Sequence, residues 1–275
     1  GDAAHRYSVG FAELVAGPAR FAPPSRPGAV PVADSIVVLR KSYRFDESGG
    51  IGALARAVRE GDGVEALRIL RDGKDVVRIR EGVRADTLGG ALRESALANL
   101  ASAASAAEPL EAFRQKGETA LLCALRRGAL GVTGINDAVE RMLRDEGTVD
   151  PRRRWYSGRP VMVTRNDYSL GLYNGDIGVI LDGADGPAAW FPAPDGGARS
   201  IMPRLLPEHE TVYAMTVHKS QGSEFDRVVL ILPERTSPVL TRELVYTGVT
   251  RARRSVEIWS PAEVLQAAVQ TPVRR

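Results

Sequence analysis

Residues 211–260, TVYAMTVHKSQGSEFDRVVLILPERTSPVLTRELVYTGVTRARRSVEIWS, constrain the fold more than any other stretch of this chain. Apolar runs and polar breaks alternate there as strand, polar turn with a short helix, strand, loop, helix and strand. Such an order belongs to an open α/β sheet. In that architecture helix N-termini and exposed loop groups converge at the carboxyl ends of strands, so the charged residues of this segment are expected at ligand-binding handovers.

Upstream, the same alternation is visible in pieces. Residues 1–35 carry a short apolar segment, Val9 to Ala16, and then Pro18, Pro23, Pro24, Pro27 and Pro31, which oppose both helix and central strand and read as a linker or tail. Ser35 to Leu39 reads as a buried strand ending in RKSYRFD. Ile51, Leu54 and Val58, then Val64, Leu67 and Leu70 beyond the breaker GDG, have helical spacing. A short strand is expected at Val76 to Ile79, Ala-rich helix between Thr87 and Lys116, a buried strand at Thr119 to Leu125 and an amphipathic helix at Ile135 to Leu143.

The texture changes at Val149. RPVMVTRN, LGLYNGDIGVILDG, AAWFPA and ARSIMP are short strand-like runs, and Asn174-Gly175 is a signal for a two-residue hairpin with a type I′ turn. A small antiparallel barrel is the natural closure for about five such strands. Since the α/β pattern resumes at Thr211, the β-module reads as an insertion at 157–206. It divides a larger domain into 36–156 and 207–262, with a tail at 263–275.

Composition adds bounds. Lys and Arg number 37 against 34 Asp and Glu, a weak whole-chain argument for a polyanionic partner, although Arg152, Arg153, Arg154, Arg251, Arg253 and Arg254 are clustered. The single cysteine, Cys123, excludes an internal disulfide, fits a reducing compartment and sits in an apolar run as a core residue. No apolar run has the roughly 20 residues of a membrane span, and the start lacks the pattern of a secretory signal, so no membrane association and a cytoplasmic location are expected. The chain begins without Met, as a piece of a longer protein would.

Three motifs carry chemistry. In SYRFD, Arg44 alone reads as a surface arginine packed on Phe45; at the end of a strand it would face an anion, with Tyr43 free to stack on a flat ring. In MTVHKSQGSEF, Thr216, His218, Lys219, Ser220 and Gln221 supply donors for phosphate oxygens, Gly222 allows close backbone approach and Glu224 can accept from a sugar hydroxyl. In TRELVYTGVTRARR, Thr241 reads as an N-cap, Glu243 lies in the first turn, and Arg251, Arg253 and Arg254 complement the dipole at the helix end. An arginine projecting from that helix toward a neighbouring domain is suited to stabilise charge on a transferring γ-phosphate. His218 with His5 and His209 makes no metal-ligand spacing.

Together SYRF, AMTVHKSQGSEF and LVYTGVTRAR, in that order and spacing, resemble motifs IV, V and VI of superfamily 1 DNA helicases, and RWYSGRPVMVTRNDYSLGLYNGDIGVIL resembles the RecD branch of that superfamily. The likeness runs from about Val37 to Ser260. It implies a RecA-like parallel-sheet motor domain (2A) with an inserted SH3-like antiparallel β-barrel (2B). By the same resemblance Tyr43 lies against adenine, Arg44 and Arg251 act on the γ-phosphate, and Glu224 contacts ribose near Gly222. Thr216, His218 and Lys219 then touch single-stranded DNA.

The expected cofactor is ATP with Mg²⁺. Partner subunits resembling RecB and RecC follow from the branch, as does a 5′ to 3′ helicase acting in DNA end processing and recombinational repair. No G-x-x-x-x-G-K-[ST] loop occurs in this chain, and Asp145-Glu146 does not follow a strand as a Walker-B pair would, so the Mg²⁺ and β-phosphate machinery is expected in another domain and the chain alone is expected to be inactive. Two readings stay open beside this one: a non-enzymatic nucleic-acid or protein-binding module, and an RNA-directed helicase of the same superfamily. Steep salt dependence would separate a phosphate-binding surface from a protein-binding one.

Overall fold

The computed structural model describes residues 6–19, 23–28, 34–35, 50–73, 76–183 and 185–273. The expected strand Ser35 to Leu39 lies outside the described residues except for Ser35. Two units partition the chain, Gly1–Arg44 and Phe45–Arg275.

In the first unit, the segment expected as a tail contains a helix, α1 (Val9–Ala19), with Pro18 one residue before its end. Tyr7 exchanges backbone hydrogen bonds with Pro24 and Arg26, and the Asp34 carboxylate accepts from the Ser8 amide and hydroxyl at 2.7 and 2.6 Å. Local pairing of this kind is what gives a proline-rich stretch an ordered shape.

The second unit holds two sheets. Helices α2 (Gly50–Glu60) and α3 (Gly63–Asp72) come first, split by Gly61 and Asp62, and the Asp62 carboxylate caps α3 by accepting from the Glu65 amide. Then follow β1 (Val77–Arg80), α4 (Leu88–Leu92), a π-helical turn at Arg93–Leu97, α5 (Ala98–Ser105), α6 (Pro109–Glu118), β2 (Thr119–Cys123) and α7 (Val132–Asp145). The short strands are β3 (Pro160–Val163), β4 (Ile177–Gly183), β5 (Gly186–Pro192), β6 (Ala198–Ile201) and β7 (His209–Thr211). The chain closes with β8 (Ala214–Thr216), β9 (Phe225–Ile231), α8 (Arg242–Val249), β10 (Ala252–Trp259) and α9 (Ala262–Gln270).

All pairings in the larger sheet are parallel, in the order β1-β10-β9-β2-β8. Its central strands present apolar residues to both faces. Ala120, Leu122, Val228, Leu230, Val256 and Ile258 join one core with residues of α2, α3, α8 and α9, while Leu121, Cys123, Val229, Ile231 and Trp259 join a second core with residues of α4, α5 and α7. This is the α/β architecture that the opening segment implied. Cys123 is fully buried, and burial pushes its thiol well above the ordinary range, as suits a core residue. On the second face Glu257, 2% exposed, accepts from Arg78, Arg80, Arg227, the Ser95 hydroxyl and the Trp259 indole, which ties β1, β9, β10 and the π turn together. Burial raises its carboxyl pKa, but these donors, led by Arg78, more than offset that and hold it below the usual carboxylate range.

The smaller sheet is antiparallel in the order β6-β5-β4-β3-β7. It extends past the expected boundary at 206, because β7 pairs with β3 through Val161–Thr211, Met162–Glu210 and Val163–His209. The larger sheet therefore resumes at Ala214 and not at Thr211. Asn174 and Gly175 occupy the centre of a turn closed by the Asp176 amide on the Tyr173 carbonyl, with Gly175 at φ +101°, but the expected first arm is a loop with one isolated bridge, Asp167–Leu172. Loop-forming side chains account for the difference: the Asp167 carboxylate accepts from the Ser169 and Leu170 amides and the Asn166 amide oxygen accepts from the Asn174 backbone.

At the other end, most of the segment expected as a tail is helix, α9 (Ala262–Gln270). Val264, Leu265, Ala268 and Val269 of α9 recur at helical spacing and are buried against α3 and α8.

Candidate functional site

β8 is only three residues long and lies beside the carboxyl end of β2, with Thr216 level with Cys123 and Cys123 level with Ile231. Phe225, where β9 begins, sits at the opposite end of the sheet. Six strand steps separate the levels of Phe225 and Ile231, about 20 Å. The connection 217–224 therefore runs from the carboxyl end of the sheet to its amino end, and it carries His218, Lys219, Gly222 and Glu224 along that path.

At the carboxyl end, the Val217 amide donates to the Cys123 carbonyl at 3.1 Å, and a 3-10 turn follows at His218–Ser220. The Thr216 hydroxyl accepts from the Lys219 amide at 3.3 Å, while the buried Ser220 hydroxyl donates to the Val217 carbonyl at 2.7 Å. These bonds leave His218 exposed, with Thr216 and Lys219 half-buried beside it. A groove of about 740 Å³ separates Val217, His218 and Gln221 from Thr241, the N-cap of α8, and from Leu244 and Thr247 of that helix.

At the amino end, Gly222 is at φ +88°, a conformation that favours glycine, with open space where a side chain would be. The chain then reaches Glu224, whose carboxylate accepts from Arg253 Nε at 3.1 Å. Arg251 adjoins: the Phe225 amide donates to its carbonyl, and its guanidinium donates to the Thr247 and Ser223 carbonyls at 3.2 Å each. Gly222, Glu224 and Arg251 are thus gathered at the amino ends of β9 and β10. The expectation that these residues sit at carboxyl ends holds for Thr216, His218 and Lys219 and fails for Gly222, Glu224 and Arg251, because β8 and β9 run parallel in one sheet and the segment joining them must return to its amino end. Tyr43 and Arg44 lie outside the described residues.

Arg253 and Arg254 also depart from the expected helix end. Thr241 does cap α8, accepting from the Leu244 amide at 3.3 Å, but the helix stops at Val249, where the Thr250 hydroxyl bonds back to the Tyr246 and Thr247 carbonyls. Arg251 then leads into β10, on which Arg253 and Arg254 face Glu224 and Asp226.

Residues 211–258 match the family described as UvrD-like helicase C-terminal domain. The RecBCD enzyme subunit RecD of Mycolicibacterium smegmatis is 42% identical over 238 residues, covering 86% of this chain and 41% of that protein. The chain is a homologue of the C-terminal part of RecD. The RecD subunit of Haemophilus influenzae is 34% identical across 89% of this chain and 40% of its own length, so the chain spans about two fifths of these RecD relatives. Among solved structures, a Bacteroides Pif1 bound to single-stranded DNA aligns over 87% of this chain and 54% of that one, at 15% identity and a TM-score of 0.47, too distant to carry a statement about the site. No described helix is long and apolar enough to cross a membrane.

Several residues around the RecD-like motifs escaped sequence reading. Glu210 on β7 pairs with both Lys219, at 2.9 Å, and Arg126, at 3.1 Å. The Trp155 ring lies 4.9 Å from the Arg154 guanidinium and 5.6 Å from that of Arg159. The only signal for the latter was the run RRRWYSGR, in which arginines flank an aromatic.

Proposed function

We propose that this chain is the second RecA-like motor domain, with an inserted SH3-like 2B module, of an ATP-dependent 5′ to 3′ DNA helicase that works with RecB-like and RecC-like subunits in the processing and recombinational repair of DNA ends. In this reading the amino-end cluster faces nucleotide. Arg251 stabilises negative charge on the γ-phosphate, Glu224 accepts from the ribose, and Gly222 lets the backbone approach; Tyr43 is assigned to the adenine and Arg44 to the γ-phosphate. Thr216, His218 and Lys219 face the backbone of single-stranded DNA. A P-loop domain elsewhere in the full-length protein supplies the Mg²⁺ ligands and the lysine for the β- and γ-phosphates, and the protein acts in the cytoplasm.

The observation that carries the reading is the path of residues 217–224, which joins the two clusters through one short, hydrogen-bonded segment. When nucleotide pulls on Glu224 and Arg251, the exchange of contacts at the Ser223 carbonyl moves the same segment that holds His218. That gives a physical route from hydrolysis to a step along DNA.

Alanine variants of the full-length protein test the division. Arg251→Ala should lower ATP turnover by roughly 10³–10⁵ and keep its affinity for oligothymidylate, while His218→Ala should lose DNA affinity and DNA stimulation but keep basal turnover. Equal loss of both properties in both variants contradicts the assignment.

A further inference from the structure

The cation that the DNA reading assigns to Lys219 is already occupied. One carboxylate, Glu210, places Oε1 2.9 Å from Lys219 Nζ and Oε2 3.1 Å from Arg126 Nη2. The three side chains come from three places: β7 of the smaller sheet, the 3-10 turn after β8, and the loop leaving β2. Two oxygens sharing one negative charge, each on a separate cation, is also the geometry that a nucleic-acid phosphate would adopt with this pair.

The surroundings favour such an anion. Arg126, Arg154 and Arg159, against Glu208 and Glu210, line an open cleft of about 900 Å³ between the two sheets, with His209 among them. The Trp155 ring, with Arg154 and Arg159 over it, lies 5.3 Å from the His209 ring. A basic groove with aromatic rings beside it is what single strands use, backbone on cations and bases on π faces.

We propose that Glu210 is an internal stand-in for a backbone phosphate: it holds Lys219 and Arg126 while the cleft is empty, and single-stranded DNA displaces it, extending the DNA track from the end of β8 into the cleft between the sheets. The inference rests on the reading of Lys219 as a DNA contact. Arg126 is 70% exposed, and Glu210 and Lys219 keep 29% and 28% of their surface in water, so the exchange swaps one anion for another at a site that solvent reaches. Its consequence is mechanical. Because Glu210 ties β7 to the turn that carries His218 and Lys219, loading DNA releases the smaller sheet from that turn.

The test uses the full-length protein and a labelled oligothymidylate, with each variant's thermal unfolding measured beside its binding. Glu210→Gln keeps the shape and removes the charge, and should bind about three- to tenfold more tightly at low salt, with the gain shrinking as salt is raised. Glu210→Asp, which keeps the charge, should bind much as the unaltered protein does. Glu208→Gln removes a charge of the same sign from the same cleft, where Glu208 pairs with Arg165 and not with Lys219, and should give a clearly smaller gain. Equal gains from Glu208→Gln and Glu210→Gln, or unchanged or weaker binding by Glu210→Gln, overturn the exchange. Lys219→Ala separates the two levels: if it binds as the unaltered protein does, the assignment of Lys219 to DNA fails and the exchange with it, whereas weakened binding by Lys219→Ala with no gain from Glu210→Gln removes the exchange alone.

Discussion

Lys116 puts an ammonium where no described group accepts from it. Its Nζ is sealed from solvent against Leu100, Ala104, Phe113, Val179 and Tyr213, between α5–α6 and the smaller sheet, although part of its stem is exposed. Burial alone pushes the amine down to about 8 from 10.5. Between those values the unfolded chain binds more protons than the folded one, so stability should rise with pH across that window. Lys116→Met is expected to gain up to about 3 kcal/mol at neutral pH and to lose that rise. Urea unfolding at a series of pH values checks both, and a variant less stable at neutral pH contradicts the account. The motif residues were legible as types: a run with Thr216, His218, Lys219, Gly222 and Glu224 announces polar recognition wherever it lies. Glu210 was not legible as the partner of Lys219, although it stands only nine positions before it, because Glu210 belongs to the smaller sheet and Lys219 follows a strand of the larger one.

The descending connection 217–224 was readable as a polar turn, but its direction was not. Direction depends on β8 and β9 both pairing parallel with β2, and that pairing is set by tertiary contacts and not by local pattern. Helices fared better where apolar spacing was strong: α2 buries Ile51, Leu54 and Val58 and α7 buries Ile135 and Leu143, whereas α3 buries Leu67 and Leu70 but leaves Val64 exposed. The end of α8 was misread because a basic run looks the same in a last helical turn as at the start of a strand; the Thr250 back-bonds decide between them. The joint between the sheets gives a prediction for elements. Gly158 has φ +82°, and a Cβ there would lie 2.1 Å from the Ala104 carbonyl oxygen of α5. Gly158→Ala should therefore cost about 2–4 kcal/mol by prising β3 and β4 from α5. A loss below about 1 kcal/mol in chemical unfolding would mean that the joint is looser than its geometry.

Two sheets with opposite pairing rules share one unit, and the change of texture near Val149 marked their division in the sequence. The boundary at 206 fell short because β7, HET, is too brief and polar to register as a strand until β3 is there to pair with it. Placed as one wall of a nucleotide cleft, this chain by itself should hydrolyse no ATP, with or without DNA; robust DNA-stimulated turnover by the purified chain would contradict the need for a second wall. The central claim is that residues 217–224 link nucleotide at the amino ends of β9 and β10 to DNA at the carboxyl end of β8. The direct measurement is the affinity of the full-length protein for oligothymidylate with and without a non-hydrolysable ATP analogue, in the unaltered protein and in Arg251→Ala. The analogue should shift the unaltered protein's affinity by about fivefold or more, and Arg251→Ala should keep the nucleotide-free affinity and lose the shift. A shift of the same size in Arg251→Ala would contradict the account.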